Sequence, residues 1–228
     1  MSLIVMAAII GLPMISQMVS GTLQKRFAKF SREPMPMTGA EIAFQMLEEH
    51  GIKDVQIIPT KGQLTDHYNP TNKTVALSEV VYGHANVAAC AVAAHECGHA
   101  IQHATGYPML GMRSRMVPLL KLSNVAMPVL GMGGFAVLES IGSSTVSWIV
   151  LGVIALPTLF SLVTLPVEFN ASNRALAWME EANIAPGEKH SGAKNALWWA
   201  AMTYVVAAIG SIAQAFYWAL RMFGGRRR

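Results

Sequence analysis

Four long stretches of the chain carry no charged residue, and they constrain the fold more than any other feature. They are residues 1–24, 122–138, 140–167 and 195–220. About 20 apolar residues in a helix cross the hydrocarbon core of a bilayer, and all four stretches reach or approach that length. Charged residues make up only 13% of the chain, against about 25% in a soluble domain. The sequence therefore predicts an α-helical integral membrane protein and excludes a disordered chain.

The composition divides the chain into apolar helices and a modest water-facing part. We expect about four transmembrane helices, with the two inner ones at about 116–139 and 145–167. The predicted segments are a first transmembrane anchor at 1–23, a cytoplasmic α+β domain at 24–106, two transmembrane helices within 107–167, a water-facing segment at 168–195, a fourth apolar helix at 196–220 and a basic tail at 221–228.

Basic residues lie at the edges of the apolar stretches and predict the orientation. The net charge is +4. The flanking cations are Lys25, Arg26, Lys29, Arg32, Arg113, Arg115, Lys121, Arg221 and Arg226 to Arg228. Such positions are typical of contact with lipid headgroups rather than with nucleic acid. Because loops rich in Lys and Arg stay in the cytoplasm, the 24–106 domain is expected there. Four spans would put the C-terminal arginines outside, so the side of that tail stays open.

The water-facing domain has recognisable helix and strand signals. Thr38 and Glu41 form a capping-box pattern at a helix start, and an Ala-rich segment predicts a second helix. The expected elements are a helix from Thr38 to Gly51, strands at Val55–Ile58 and Thr74–Leu77, a turn at Asp66–Asn72 and a helix at about Ala85–Ala104. Cys90 and Cys97 would lie about 10 Å apart on that helix, too far for a disulfide.

The pattern His95-Glu96-x-x-His99 on the Ala-rich helix carries the chemistry. Residues i and i+4 share one face of a helix, so the two imidazoles can hold one Zn²⁺ and the intervening glutamate can act as general base. A charged glutamate beside two histidines in a buried helix is costly unless it is paired or metal-bound. The motif therefore predicts a zinc-dependent hydrolase of peptide bonds in a zincin-like domain, with one zinc ion per chain.

Catalytic zinc usually has three protein ligands, so a third must come from elsewhere. A metzincin would have a histidine six positions after His99, where this chain has Thr105. Glu168 is the candidate, since two predicted spans return it to the side of His99 and Pro166 interrupts the helix before it. The alternative is an interfacial glutamate at a helix start. His103 lies about 12 Å from the first motif histidine along the helix, so it is expected outside the site.

Two segments resemble the YugP-type bacterial membrane zinc metallopeptidases. They are 64–107, LTDHYNPTNKTVALSEVVYGHANVAACAVAAHECGHAIQHATGY, and 166–175, PVEFNASNRA. Chain length and the order of apolar stretches match as well. This neutral zinc metallopeptidase family is distantly similar to the HtpX-type membrane proteases. The resemblance implies a multi-pass protein of the bacterial inner membrane, with protein or peptide substrates that include membrane proteins.

The resemblance also implies roles for individual residues. His95, His99 and Glu168 would bind zinc, and Glu96 would be the base. Related proteases continue the third ligand as E-x-x-A-D, whereas this chain has Ser172 at the last position. A serine hydroxyl is expected to orient a ligand histidine less strongly than a carboxylate would.

Peptide hydrolysis also requires a donor to the oxyanion and a surface for the substrate. The sequence leaves four candidate donors open: His67, Tyr68, Tyr107 and Arg174. The strand at Thr74–Leu77 is expected to pair with an extended peptide by β-addition. The substrate and the oligomeric state do not follow from these patterns.

Two other functions are compatible with parts of the pattern. A site-2-type intramembrane protease would need a later aspartate ligand in the membrane, but Asp54 and Asp66 both precede the motif. A non-enzymatic membrane scaffold with structural zinc would need a closed site, usually with four ligands. An assay for metal-dependent hydrolysis by the purified protein distinguishes the enzyme from the non-enzymatic scaffold.

Overall fold

The computed structural model describes residues 3–129 and 144–224, which form helices and one small sheet. The elements in chain order are α1 (Leu3–Phe30), α2 (Gly39–Glu49), β1 (Gln56–Thr60), β2 (His67–Asn69), β3 (Thr74–Ser78), α3 (Glu79–Tyr82), α4 (Val87–Ala104), α5 (Pro108–Val129), α6 (Ser144–Glu181) and α7 (Glu188–Gly224). The link predicted at 140–145, the end of the predicted 116–139 span and the last residues of the basic tail lie outside the described residues, apart from 144 and 145.

The chain divides into two compact units, which we call the helical unit and the α+β unit. The helical unit comprises Met1–Gln17, Met112–Leu165 and Tyr204–Arg228, and the α+β unit comprises Met18–Gly111 and Pro166–Thr203. Within the helical unit, Ser123 Oγ donates to Val153 O at 2.8 Å and Thr158 Oγ1 donates to Ser211 O at 2.9 Å. Hydroxyl bonds between helices of this kind are common in membrane proteins.

Among the described residues, two helical segments are long and apolar enough to cross a membrane, not four as predicted. They are Leu151–Glu181 in α6 and Glu188–Leu220 in α7. The second predicted span falls on α5, which carries three basic residues, Arg113, Arg115 and Lys121, and part of that span lies in the undescribed 130–143. The first falls on α1, which continues without a break past the predicted end to Phe30 and so includes the basic residues after Gln24.

Helix α6 also corrects the prediction that Pro166 would end one helix and let another begin. Residues 144–181 form a single helix of 38 residues, with Pro157 and Pro166 inside it. Proline removes one backbone donor, and a long apolar helix that is held by neighbouring helices tolerates that loss. Glu168 therefore projects from within α6 rather than from the start of a helix.

The sheet of the α+β unit has the order β1-β3-β2. β1 pairs with β3 in parallel, and β2 pairs with β3 antiparallel. The predicted strands are confirmed to within two residues as β1 and β3. The predicted turn at 66–72 is wrong at His67–Asn69, because pairing with β3 draws these turn-forming residues into β2. The expectation that β3 binds an extended peptide is also wrong, since both of its edges are occupied.

Helix α4 is the centre of the α+β unit. Fourteen of its 18 residues are buried, and α2 packs against it with Ile42, Ala43, Met46 and Leu47. The predicted capping box at Thr38 and Glu41 is present, and Asn86 caps α4 by accepting from Ala89 N at 2.9 Å. This packing holds the face of α4 that carries the motif in a fixed position.

The two cysteines also lie on α4, and both are free and buried, as predicted. Their thiols donate to Met37 O at 3.3 Å and Ala43 O at 3.6 Å. Cys90 and Cys97 therefore pack against α2 and its N-terminal approach as small buried side chains.

Candidate metal centre

His95 and His99 lie one helical turn apart on α4, as their spacing predicts. Their ring centroids are 4.8 Å apart and the ring planes are nearly perpendicular, at 81°. His99 is buried and His95 is partly buried. Two imidazoles are thereby presented together on one face of a rigid, buried helix.

Glu168 reaches both histidines from α6. Its Oε2 lies 3.3 Å from Nε2 of His95 and 3.7 Å from Nε2 of His99, and one ligand atom from each residue lies within 4.8 Å of the others. Zinc bonds of about 2.1 Å in a tetrahedron separate ligand atoms by about 3.4 Å. Two imidazole nitrogens and a carboxylate oxygen at these separations fit Zn²⁺ in both chemistry and size.

A glycine inside the motif allows the two helices to approach closely. A Cβ at Gly98 would lie 2.5 Å from Ala171 O, a distance that no side chain tolerates. The backbone of α6 therefore contacts α4 between the two histidines, and Glu168 lies one turn before this contact. The glycine in His-Glu-Cys-Gly-His was the sequence signal for this close helix contact, although the zinc-binding pattern by itself does not require a glycine there.

Each histidine has a partner on its other ring nitrogen. Ser172 Oγ lies 3.1 Å from Nδ1 of His95, the pair expected from the resemblance. Nδ1 of His99 lies 3.0 Å from Oε1 of Gln102, a residue that sequence reasoning missed. Partners of this kind orient metal-binding imidazoles, and here they leave both Nε2 atoms facing Glu168.

Burial of His99 and the negative charges around it shift its pKa in opposite directions. Burial by itself lowers the pKa of His99, but the bonds to Glu168 and Gln102 and the negative charges of Glu168 and Glu96 raise it, and the net shift is upward. Glu96 is buried as well. A strongly negative, enclosed environment around two imidazoles favours a cation, which can be a proton or a metal ion.

Tyr68 and His103 form a separate contact beyond the three clustered residues. The Tyr68 hydroxyl lies 2.7 Å from His103 Nδ1, and the ring centroids are 5.8 Å apart. Tyr68 is on the edge strand β2, and His103 is one turn beyond His99 on α4. Among the described residues, His103 thus lies outside the cluster of candidate metal ligands, as expected.

The remaining predicted residues have other surroundings. His67 is exposed, with its Nδ1 2.8 Å from Thr65 O. Arg174 Nε donates to Asn170 Oδ1 at 2.9 Å. Tyr107 is partly buried in the turn after α4. Of the predicted residues, Ser172 thus contacts His95, and Arg174 contacts Asn170, which in turn contacts Gln102.

The fold and the donor set together indicate a protein with helices long and apolar enough to cross a membrane and with a candidate zinc site. The chain belongs to the family described as "Putative neutral zinc metallopeptidase", whose profile matches residues 3–223. It is 36% identical over 208 residues to a Bacillus subtilis (strain 168) protein described as "Putative membrane protease YugP", and the match covers 90% of each chain. No solved structure matches the chain. The family resemblance seen in the sequence is confirmed, and it supports a zinc peptidase that associates with membranes.

Proposed function

We propose that this protein is a membrane-bound zinc metallopeptidase in which His95, His99 and Glu168 hold one Zn²⁺ and Glu96 is the general base. The observation that carries the proposal is the convergence of two nitrogens and one oxygen from α4 and α6 within 4.8 Å of one another. Three protein ligands leave a fourth position for water or substrate, the arrangement of catalytic rather than structural zinc. Membership of a zinc metallopeptidase family supports the same reaction.

The side chains divide the work of hydrolysis. His95, His99 and Glu168 would hold the zinc ion, which when bound would supply Lewis acidity toward the scissile carbonyl and toward water. Glu96 accepts the proton of the attacking water and passes it to the leaving amine nitrogen. Ser172 holds the His95 ring from behind, and burial of Glu168 in the protein keeps its carboxylate from turning toward solvent.

Substrate binding is proposed at the edge strand β2. An extended peptide adds to a sheet through free backbone groups at an edge, and within the described part of the chain β2 pairs with β3 alone. Tyr68 lies on this strand with its hydroxyl 2.7 Å from His103 Nδ1 on α4, and it is one of four proposed oxyanion donors, with His67, Tyr107 and Arg174. The substrates proposed are proteins or peptides, including membrane proteins.

The proposed location is the bacterial inner membrane, with several spans and the α+β unit on the cytoplasmic side. The apolar segments of α6 and α7 and the description of the Bacillus subtilis relative support membrane association. The basic residues from Lys25 to Arg32, at the end of α1, support the orientation.

The test of function is hydrolysis of an unfolded protein by the purified full-length chain in detergent. Glu96→Gln should lower turnover by about 10²-fold or more, the range for a general base, while zinc content stays at the wild-type level because Glu96 is not a ligand. Glu180→Gln, an exposed change on α6, is the matched control and should retain full activity.

Two outcomes would contradict the proposal. Undiminished turnover by zinc-loaded Glu96→Gln would remove Glu96 from the mechanism. If the wild-type protein binds zinc but cleaves neither the unfolded protein nor membrane proteins of the same cell, the non-enzymatic scaffold with structural zinc would be favoured.

A further inference from the structure

Gln102 is a fully buried polar side chain next to the proposed metal ligands. It is 0% exposed and lies three residues after His99 on α4. A buried amide without hydrogen bonds is costly, and this one has partners on both ends. Its Oε1 lies 3.0 Å from His99 Nδ1, and its Nε2 lies 2.8 Å from Val167 O and 3.0 Å from Asn170 Oδ1.

These partners determine which way the Gln102 amide points. A backbone carbonyl such as Val167 O can only accept, so the amide nitrogen must face it. The amide oxygen therefore faces His99, where it can only accept. His99 must then donate from Nδ1, and in a neutral imidazole the other nitrogen, Nε2, carries the free lone pair. Nε2 is the atom that faces Glu168.

A second constraint comes from Arg174 on α6. Its Nε donates to Asn170 Oδ1 at 2.9 Å, and because arginine has no acceptor, this bond turns the Asn170 oxygen toward Gln102. The polar chain thus runs from Arg174 through Asn170 and Gln102 to His99. It ties α4 to the turn of α6 that carries Glu168, since Val167 and Asn170 lie on either side of that glutamate.

Among the described residues, no buried amide constrains His95 as Gln102 constrains His99. Its Nδ1 contacts the Ser172 hydroxyl, and a hydroxyl can donate or accept by rotation. Ser172 therefore accommodates either tautomer of His95, whereas Gln102 accommodates one tautomer of neutral His99. The two motif histidines are equivalent in sequence but not in their surroundings.

We propose that Gln102 is a positioning residue that holds neutral His99 with its proton on Nδ1 and fixes the distance between α4 and Glu168. The inference rests on the proposed function in taking zinc as the ion that these ligands bind. It concerns metal binding and helix contact, so it can fail while peptidase activity is real.

The test compares Gln102→Leu and Gln102→Glu with wild type in the full-length protein. Leucine has a similar volume and removes every hydrogen bond, whereas glutamate keeps an acceptor for His99 and loses the donors to α6. Zinc affinity, measured by competition with a chelator, should fall about 10–100-fold in Gln102→Leu, as for other residues behind metal ligands, and less in Gln102→Glu. Gln63→Leu, an exposed glutamine in the loop before β2, is the control and should bind zinc as wild type does.

A tautomer measurement separates positioning from simple packing and needs no variant. Nitrogen-15 NMR of histidine-labelled, metal-free wild type at pH 9 should show His99 with hydrogen on Nδ1, and the zinc-loaded protein should show ligation through Nε2. Hydrogen on Nε2 in the metal-free protein, or wild-type zinc affinity in folded Gln102→Leu, would overturn the proposal. Failure of the proposed function would appear instead in the Glu96→Gln assay.

Discussion

Glu168 and Glu180 are both on α6, but only Glu168 is within reach of the two motif histidines. Glu180 lies twelve positions further along the helix, about 18 Å away at about 1.5 Å per residue, whereas a zinc–oxygen bond is about 2 Å. Glu168 is buried and Glu180 is exposed. Because Glu168 and Glu180 are the same residue type on the same helix, comparing their variants tests the effect of distance from the two histidines.

Glu168→Gln should lower zinc affinity about tenfold or more, judged against the 10–100-fold typical of residues behind the ligands. The amide keeps the size of the side chain but removes the charge that faces His95 and His99. Zinc per purified protein is measured at matched detergent and chelator concentrations. Full zinc content in Glu168→Gln together with loss in Glu180→Gln or His103→Ala would show that the third ligand is elsewhere.

At the scale of elements, the contact between α4 and α6 decides whether ligands that are distant in sequence can share one ion. The motif supplies two ligands on one helix face, but the third arrives only because the helix backbones meet at Gly98 and Ala171. Side chains on both helices would otherwise hold them further apart, since helices usually pack 8–10 Å apart depending on the residues at the contact.

Gly98→Ala should weaken zinc binding even though residue 98 touches no metal. The new Cβ, 2.5 Å from Ala171 O, must push α6 away and carry Glu168 with it. Gly111→Ala is the control, because a Cβ there meets nothing within 4 Å. Zinc affinity and thermal stability are measured for both variants. Wild-type zinc affinity in Gly98→Ala would mean that the helix contact does not set the position of Glu168.

At the scale of the whole molecule, the basic residues at the end of α1 predict that the α+β unit faces the cytoplasm. The α+β unit has exposed positions that suit a labelling experiment, among them Lys53. The native thiols do not interfere, because burial raises the pKa of Cys90 to about 12 and also raises that of Cys97. At neutral pH both stay protonated and enclosed, and ionisation would increase only as the pH rises toward those values.

A cysteine introduced by Lys53→Cys should therefore resist a membrane-impermeant thiol reagent in intact cells and react after permeabilisation. Wild type is the control and should stay unlabelled under both conditions until it is denatured. The labelled fraction is read on a gel by mass shift. Rapid labelling of Lys53→Cys in intact cells would mean that the α+β unit faces outward.

Interactions between near neighbours in the chain could be read without the fold. The capping box, the bounds of α4 and the shared face of His95 and His99 depend on contacts within a few residues. The strands β1 and β3 are short segments bounded by turn-forming residues. For the same reason the family resemblance was visible in the motif. These features are local, so composition and spacing are enough to predict them.

Features that depend on distant segments required the tertiary structure. The turn-forming residues His67–Asn69 form β2 because they pair with β3. Helix α6 continues through Pro166, which a helix packed against other helices tolerates. Nothing in the sequence singled out Gln102, because its partners Val167 and Asn170 come from α6, more than 60 residues further along the chain. The sequence alone was enough to place the two imidazoles on one face of a helix. Their contacts with Glu168, Ser172 and Gln102 depend on tertiary packing, because the energy of a buried polar contact depends on both partners.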